Sequence, residues 1–187
     1  MDRLLFIDTE TGGLNPKQHS LLSIGMAVWD SEAGIIYSKE ICQKLDHYNT
    51  TPEALQLNHF DLNNYDPSDI LSAKEIEQVF IQIKDTYFPK NKQIPLAGHN
   101  VQFDVAFIKE MFEKNNLNYS ALFSHRLMDM YSILRFLIQL KKVPSDINNS
   151  TKAFEYFQIC DIKRHTALGD SIGAAKLYSL FLSIMKE

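Results

Sequence analysis

Cysteine is scarce in this sequence: Cys42 and Cys160 are the two in 187 residues, with no CxxC and no Cys/His pairing of the kind zinc uses. That excludes a disulfide-framed scaffold and a zinc finger, and the expectation is two reduced thiols in a cytoplasmic protein. Glycine and proline are few, 7 and 6, which excludes collagenous and low-complexity chains. Long apolar runs are missing. The longest, residues 21–29, is broken by Ser23 and falls well short of the ~20 residues that cross a bilayer. The first residues carry an acid at Asp2 and no export signal, so no membrane is expected as a partner. A basic surplus is missing too: 19 Lys and Arg stand against 23 Asp and Glu, a net charge of −4. No overall field therefore favours a long duplex, and a nucleic-acid role needs local basic groups or bound metal ions. What remains is ordinary: 45% hydrophobic and 22% charged residues, read as a single domain over residues 1–187 that buries roughly 70% of its unfolded surface.

The apolar run 3–8 ends in Asp8 and a Thr-Gly-Gly turn, which reads as a buried strand delivering an acid to a loop. Residues 21–29 and 35–41 form an antiparallel hairpin after it. Thr51-Pro52 starts a short helix, residues 72–87 an amphipathic one, and residues 94–98 a strand. Asn100 is expected to cap a helix over 101–114. A strand over 122–127 follows, then helices over 131–140, over 151–157 with Ser150 as cap, and over 167–185. Strands first in a meander and later alternating with helices predict an α/β domain with a mixed sheet.

Asp8 and Glu10 lie two apart at a strand end, so their carboxylates share a face. Like charges this close repel unless cations bind between them, and hard oxygen ligands suit Mg²⁺ or Mn²⁺; a solvated turn is the plainer reading of the pair alone. Asp104 falls in the first turn of a helix, where an acid also complements the helix dipole. His165 stands at a helix entrance with Asp170 five residues on. Every one of these positions is a strand end or a helix start, where α/β sheets present groups to ligands. Together they make a carboxylate site able to hold paired metal ions, with a histidine suited to take a proton from water.

Asp8-Thr-Glu-Thr-Gly-Gly-Leu14, Gly98-His-Asn-Val-Gln-Phe-Asp104 and His165-Thr-Ala-Leu-Gly-Asp170 resemble the three motifs of the DEDDh 3'-5' exonucleases, in family order and across nearly the whole chain. That family includes the proofreading epsilon subunit of bacterial DNA polymerase III, ribonuclease T and oligoribonuclease. The resemblance implies a ribonuclease-H-like fold, a five-stranded mixed sheet flanked by helices. It also implies two Mg²⁺ ions per site, with Mn²⁺ as substitute. Asp8, Glu10 and Asp170 would hold the first, Asp8 would bridge to the second, Asp104 would hold the second, and His165 would be the general base. Leu14 matches the residue that wedges against the terminal base, and the backbone near Thr11 and Gly12 would meet the 3' hydroxyl. Asn100 and Phe103 match the Asn and Phe of the second motif, although a helix cap and a core ring explain them equally. Gly13 and Ser171 depart from the commonest pattern, where relatives carry Thr and Ala, without removing a ligand.

Lys163 and Arg164 precede His165 and are the candidates for phosphate contact, with Arg126 and Arg135 further possibilities. The acidic total favours short single strands and 3' ends over long ones. The expected function is a metal-dependent 3'-5' exonuclease that cleaves single-stranded DNA or RNA and releases nucleoside 5'-monophosphates. The alternatives are a catalytically silent nucleic-acid-binding or scaffolding module and a phosphatase or endonuclease on the same fold. Because the sequence ends close after the last helix, a stable polymerase partner is not expected. A homodimer stays open, with 71–88 and 131–140 as candidate faces.

Overall fold

The computed structural model describes residues 3–186. The meander is present as β1 (Arg3–Thr11), β2 (Leu21–Asp30) and β3 (Gly34–Gln43), paired antiparallel in that order. After α1 (Pro52–Asn58) and two 3₁₀ turns come β4 (Ile70–Leu71) and α2 (Ala73–Tyr87). The second half alternates: β5 (Ile94–Gly98), α3 (Gln102–Lys114), the short α4 (Tyr119–Leu122), β6 (Phe123–Asp129), α5 (Met130–Gln139), α6 (Ser150–Tyr156) and α7 (Ala167–Lys186). The sheet has six strands, not five, in the order β4-β3-β2-β1-β5-β6. The extra strand escapes the sequence because it is two residues long: Ile70 and Leu71 pair parallel with Cys42 and Gln43, too short a run to show alternation.

β2 is buried at every position, as expected of an inner strand covered on both faces. One core joins Leu5, Ile7, Ile24 and Met26 to Ile76 and Phe80 of α2 and Val105, Ile108 and Phe112 of α3. The other joins Phe6, Ala27 and Trp29 to Leu134 and Leu137 of α5, Phe154 of α6, and Ala174, Leu177 and Phe181 of α7. The result is three layers, with the sheet in the middle. Helix α2 begins on a full capping box between Ser72 and Glu75. Helix α6 is capped by Asn149 rather than Ser150, the Asn149 side chain accepting from the Lys152 amide.

β5 runs parallel to β1 and β6 parallel to β5, so Thr11, Gly98 and Asp129 end at one edge of the sheet. The start of α7 reaches that edge by close approach. A Cβ on Gly25 would stand 2.0 Å from the carbonyl of Ala167, so the first turn of α7 lies directly on β2 only because residue 25 has no side chain. Cys42 is buried and its thiol is pushed up to about 12 by that burial, whereas Cys160 is exposed; both are free. No helix among the described residues is long and apolar enough to cross a membrane.

Candidate active site

Alternation along β1 places Asp8 and Glu10 on one face and Thr9 on the other. In the ladder Asp8 is opposite Gly25 and Glu10 opposite Ser23. Because Gly25 admits the first turn of α7, Asp170 arrives on the same face, and Asp8, Glu10 and Asp170 each offer a carboxylate oxygen, all lying within 4.8 Å of one another. Two contacts fix that turn. Thr166 Oγ1 accepts from the Gly169 amide at 3.1 Å, and Glu40 accepts from the Leu168 amide at 3.3 Å. Asp104 comes from α3 on the opposite side of β1 and does not join the three. Its Oδ1 accepts from the Thr9 amide at 2.8 Å and the Thr9 hydroxyl at 2.7 Å.

Asp104, across β1, still acts on Asp8 and Glu10 through its charge, and burial raises all four acids. Asp8 is raised well above the ordinary carboxylate range, first by burial and then by the charges of Asp104, Asp170 and Glu10. Glu10 is pushed up to about 8 by burial, then Asp170, Glu40 and Asp104. Burial takes Asp104 to about 7 against the opposing hydrogen bonds from Thr9. Burial also raises Asp170, opposed by the guanidinium of Arg164 at 2.7 Å. One arginine cannot balance four carboxylates. A set of only hard oxygen donors with surplus negative charge fits a small divalent cation such as Mg²⁺ or Mn²⁺.

A cleft of about 740 Å³ opens beside Glu10, lined among others by Lys163, Arg164 and His165. His165 is exposed at its rim and adopts a left-handed backbone, φ 57°, which turns its amide onto Asp170 Oδ2 at 3.2 Å. Lys163 is exposed. Arg164, expected at a phosphate, is half-buried and committed elsewhere: besides Asp170 it donates to Thr151 Oγ1 at 3.2 Å and lies 4.4 Å over the Phe154 ring.

Around the mouth, Leu14 is 84% exposed on the loop after β1, a projecting apolar group. Thr11 and Gly12 shape that loop. Thr11 Oγ1 donates to the Gly13 carbonyl, the Gly12 amide donates to Ser20 and the Gly12 carbonyl accepts from Thr51. Asn100 does not cap α3. It has φ 58°, its amide donates to Asp129 at 2.7 Å, and Val101, which precedes the helix, gives no side-chain cap. The chain must turn sharply from β5 into α3, and Asn tolerates the left-handed conformation that does so. Phe103 is half-buried against Phe107, at 5.1 Å between ring centres, and Phe107 is core.

Sequence reasoning missed Glu40, Tyr65 and Asn58. Glu40 accepts from Ser23 at 2.8 Å and Tyr65 at 3.0 Å in addition to Leu168, tying three segments together beside Glu10. Buried Asn58 donates to the Thr11 carbonyl at 3.1 Å. The only signal for Glu40 was register: it is opposite Gly25, itself opposite Asp8.

Comparison with known proteins agrees with this geometry. The exonuclease family RNase T matches over residues 5–178. Ribonuclease T of Haemophilus ducreyi is 22% identical, covering 98% of this chain and 86% of that protein. Oligoribonuclease of Corynebacterium glutamicum is 25% identical over 71% of this chain and 61% of its own. Among solved structures, E. coli exonuclease I in complex with a dT13 oligonucleotide superposes with a TM-score of 0.77 at 18% identity, over 100% of this chain. This chain spans 42% of the length of that exonuclease I chain. Its fold is shared with a ribonuclease-H-like exonuclease, and its matched span holds all three acidic motifs. The chain therefore belongs to the RNase T exonuclease family, the DEDDh 3'-5' exonucleases.

Proposed function

We propose that the chain hydrolyses the terminal phosphodiester of single-stranded DNA or RNA from the 3' end, with two Mg²⁺ ions, and releases nucleoside 5'-monophosphates. The observation that carries this reading is the meeting of Asp8, Glu10 and Asp170 within 4.8 Å at the end of β1, in a chain of an exonuclease family. Asp8, Glu10 and Asp170 would hold one cation, and Asp104 would serve the second. Bound there, the cations supply the positive charge that stabilises attacking and leaving oxygens of an in-line displacement.

The protein's own groups do the rest. His165, at the cleft rim, accepts a proton from the attacking water. Its backbone is held by Asp170, so base and ligand are set by the same turn. Leu14 props against the terminal base, and Lys163 meets a phosphate. Arg164 braces Asp170 and Phe154, which keeps the segment before α7 in place. Names of relatives support a nucleic-acid substrate: ribonuclease T, oligoribonuclease, and an exonuclease I solved with an oligonucleotide.

The test uses 5'-labelled single-stranded DNA and RNA oligonucleotides with Mg²⁺ or a chelator, for the wild type and Asp8→Ala. A metal-dependent ladder shortening from the 3' end, reduced to background in Asp8→Ala, is expected. Internal cuts, or an undiminished ladder in the variant, would overturn the assignment. No shortening and no metal binding would make the chain a silent binding module.

A further inference from the structure

Residues 115–145 hold a single acid, Asp129, in a chain whose acids outnumber its lysines and arginines. The same stretch holds Arg126, Arg135, Lys141 and Lys142, all exposed, and none of them takes part in the ion pairs formed among the described residues. Asp129 itself is spent at the start of α5. Its carboxylate accepts from the amides of Asn100, Tyr131 and Ser132 and from the Ser132 hydroxyl. The outer face of α5 is apolar as well as basic: Tyr131 is 38%, Phe136 50% and Leu140 48% exposed, with exposed Arg135 between the two rings.

This face begins at the catalytic edge of the sheet. Asp129 is aligned with Gly98 across β5 and β6, and the Tyr131 ring meets the His99 ring at 5.9 Å. From Tyr131 to Phe136 the helix rises about 7.5 Å and turns through about 140°, so the two rings flank the outer face with Arg135 between them. Exposed Arg126 stands on β6, four residues before α5 begins.

We propose that the outer face of α5, with Arg126 beside it, carries the single strand upstream of the 3' end: bases stack on Tyr131 and Phe136, and phosphates meet Arg135, Lys142 and Arg126. Rings interleaved with cations are the general means of holding single-stranded nucleic acid without regard to sequence. A second copy of the chain fits less well, because a two-fold contact sets the same unpaired cations of both copies against each other. The proposal deepens the exonuclease reading and rests on it for the direction of the strand.

The experiment is fluorescence anisotropy with a labelled 12-nucleotide single strand, in chelator so that nothing is cut, across a salt series. The proteins are the full-length wild type, a Tyr131→Ala/Phe136→Ala double variant and an Arg135→Ala/Lys142→Ala double variant, with melting temperature as the control for folding and sedimentation for association. The aromatic variant is expected to bind about tenfold more weakly. The cationic variant is expected to lower the slope of log K against log salt by about 1.4, at about 0.7 per lost phosphate contact. Wild-type affinity and slope in both folded variants would overturn the proposal. So would unchanged oligonucleotide binding together with a dimer becoming a monomer, which would assign the face to a second copy. Binding is read without turnover, so a wild type that binds through this face yet cuts nothing refutes the exonuclease reading while leaving the surface standing.

Discussion

Glu40 holds the site together, and His165 is the residue to which the proposed reaction gives the proton. Glu40 gathers donors from Ser23, Tyr65 and the Leu168 amide, and an amide side chain cannot accept at both of its ends. Glu40→Gln therefore leaves a donor unmatched and should lower metal-free stability by about 1–2 kcal/mol in urea unfolding; an unchanged midpoint would mean that the anchor contributes nothing. The His165 side chain makes no hydrogen bond or ion pair to the acids and acts on Asp170 by charge alone; what binds Asp170 is its backbone amide. His165→Ala should leave calorimetric Mn²⁺ affinity intact and slow hydrolysis by roughly 10²- to 10⁴-fold. If metal affinity fell as far as in Asp8→Ala, the histidine would have to be reassigned from base to ligand.

At the scale of elements, the first turn of α7 and β2 form one joint. Gly25→Ala would drive a methyl into the Ala167 carbonyl, and neither backbone can yield freely. It should cost about 2–3 kcal/mol and, by lifting Asp170 off the sheet, weaken Mn²⁺ binding; calorimetry and urea unfolding check both, and a neutral outcome would show that α7 is free to retreat. The same joint explains what the residues disclosed in advance and what they did not. The meeting of Asp8, Glu10 and Asp170 was readable because each sits next to a local signal, an apolar run ending in Gly-Gly or a helix start. Glu40 was hidden, since placing it beside Glu10 requires the register of three strands, and that register shifts between Val28 and Trp29. β4 was hidden by its length, and the turn at Asn100 by a left-handed backbone that a polar residue at a helix start does not distinguish from a cap. Arg164 looked free because nothing in a linear reading places it over Phe154.

For the whole molecule, the acidic centre sets how stability depends on pH. Glu10 lies at about 8 against an ordinary 4.5, and Asp104 at about 7 against 3.8. Between those values the native state binds more protons than the unfolded chain, so their contribution to stability is full at low pH and is lost as pH rises toward 8. The metal-free protein should accordingly melt higher at pH 6 than at pH 8.5, and Mg²⁺ should recover more stability at pH 8.5, where the carboxylates need no deprotonation before binding. Melting curves with chelator and with Mg²⁺ test this, and a metal-free protein more stable at pH 8.5 would refute the surplus-charge account. The sheet also implies an order of assembly. β1, β2 and β3 pair through short connections, whereas β5 must return to β1 from more than eighty residues away and α7 comes last in sequence. Local pairing precedes distant pairing because loop closure is slower for distant partners. On that order Asp8 and Glu10 pair early and the repulsion among the four acids is met when α7 docks, so Mn²⁺ is expected to speed the completion of refolding more than its start; a refolding rate indifferent to the cation would refute that order.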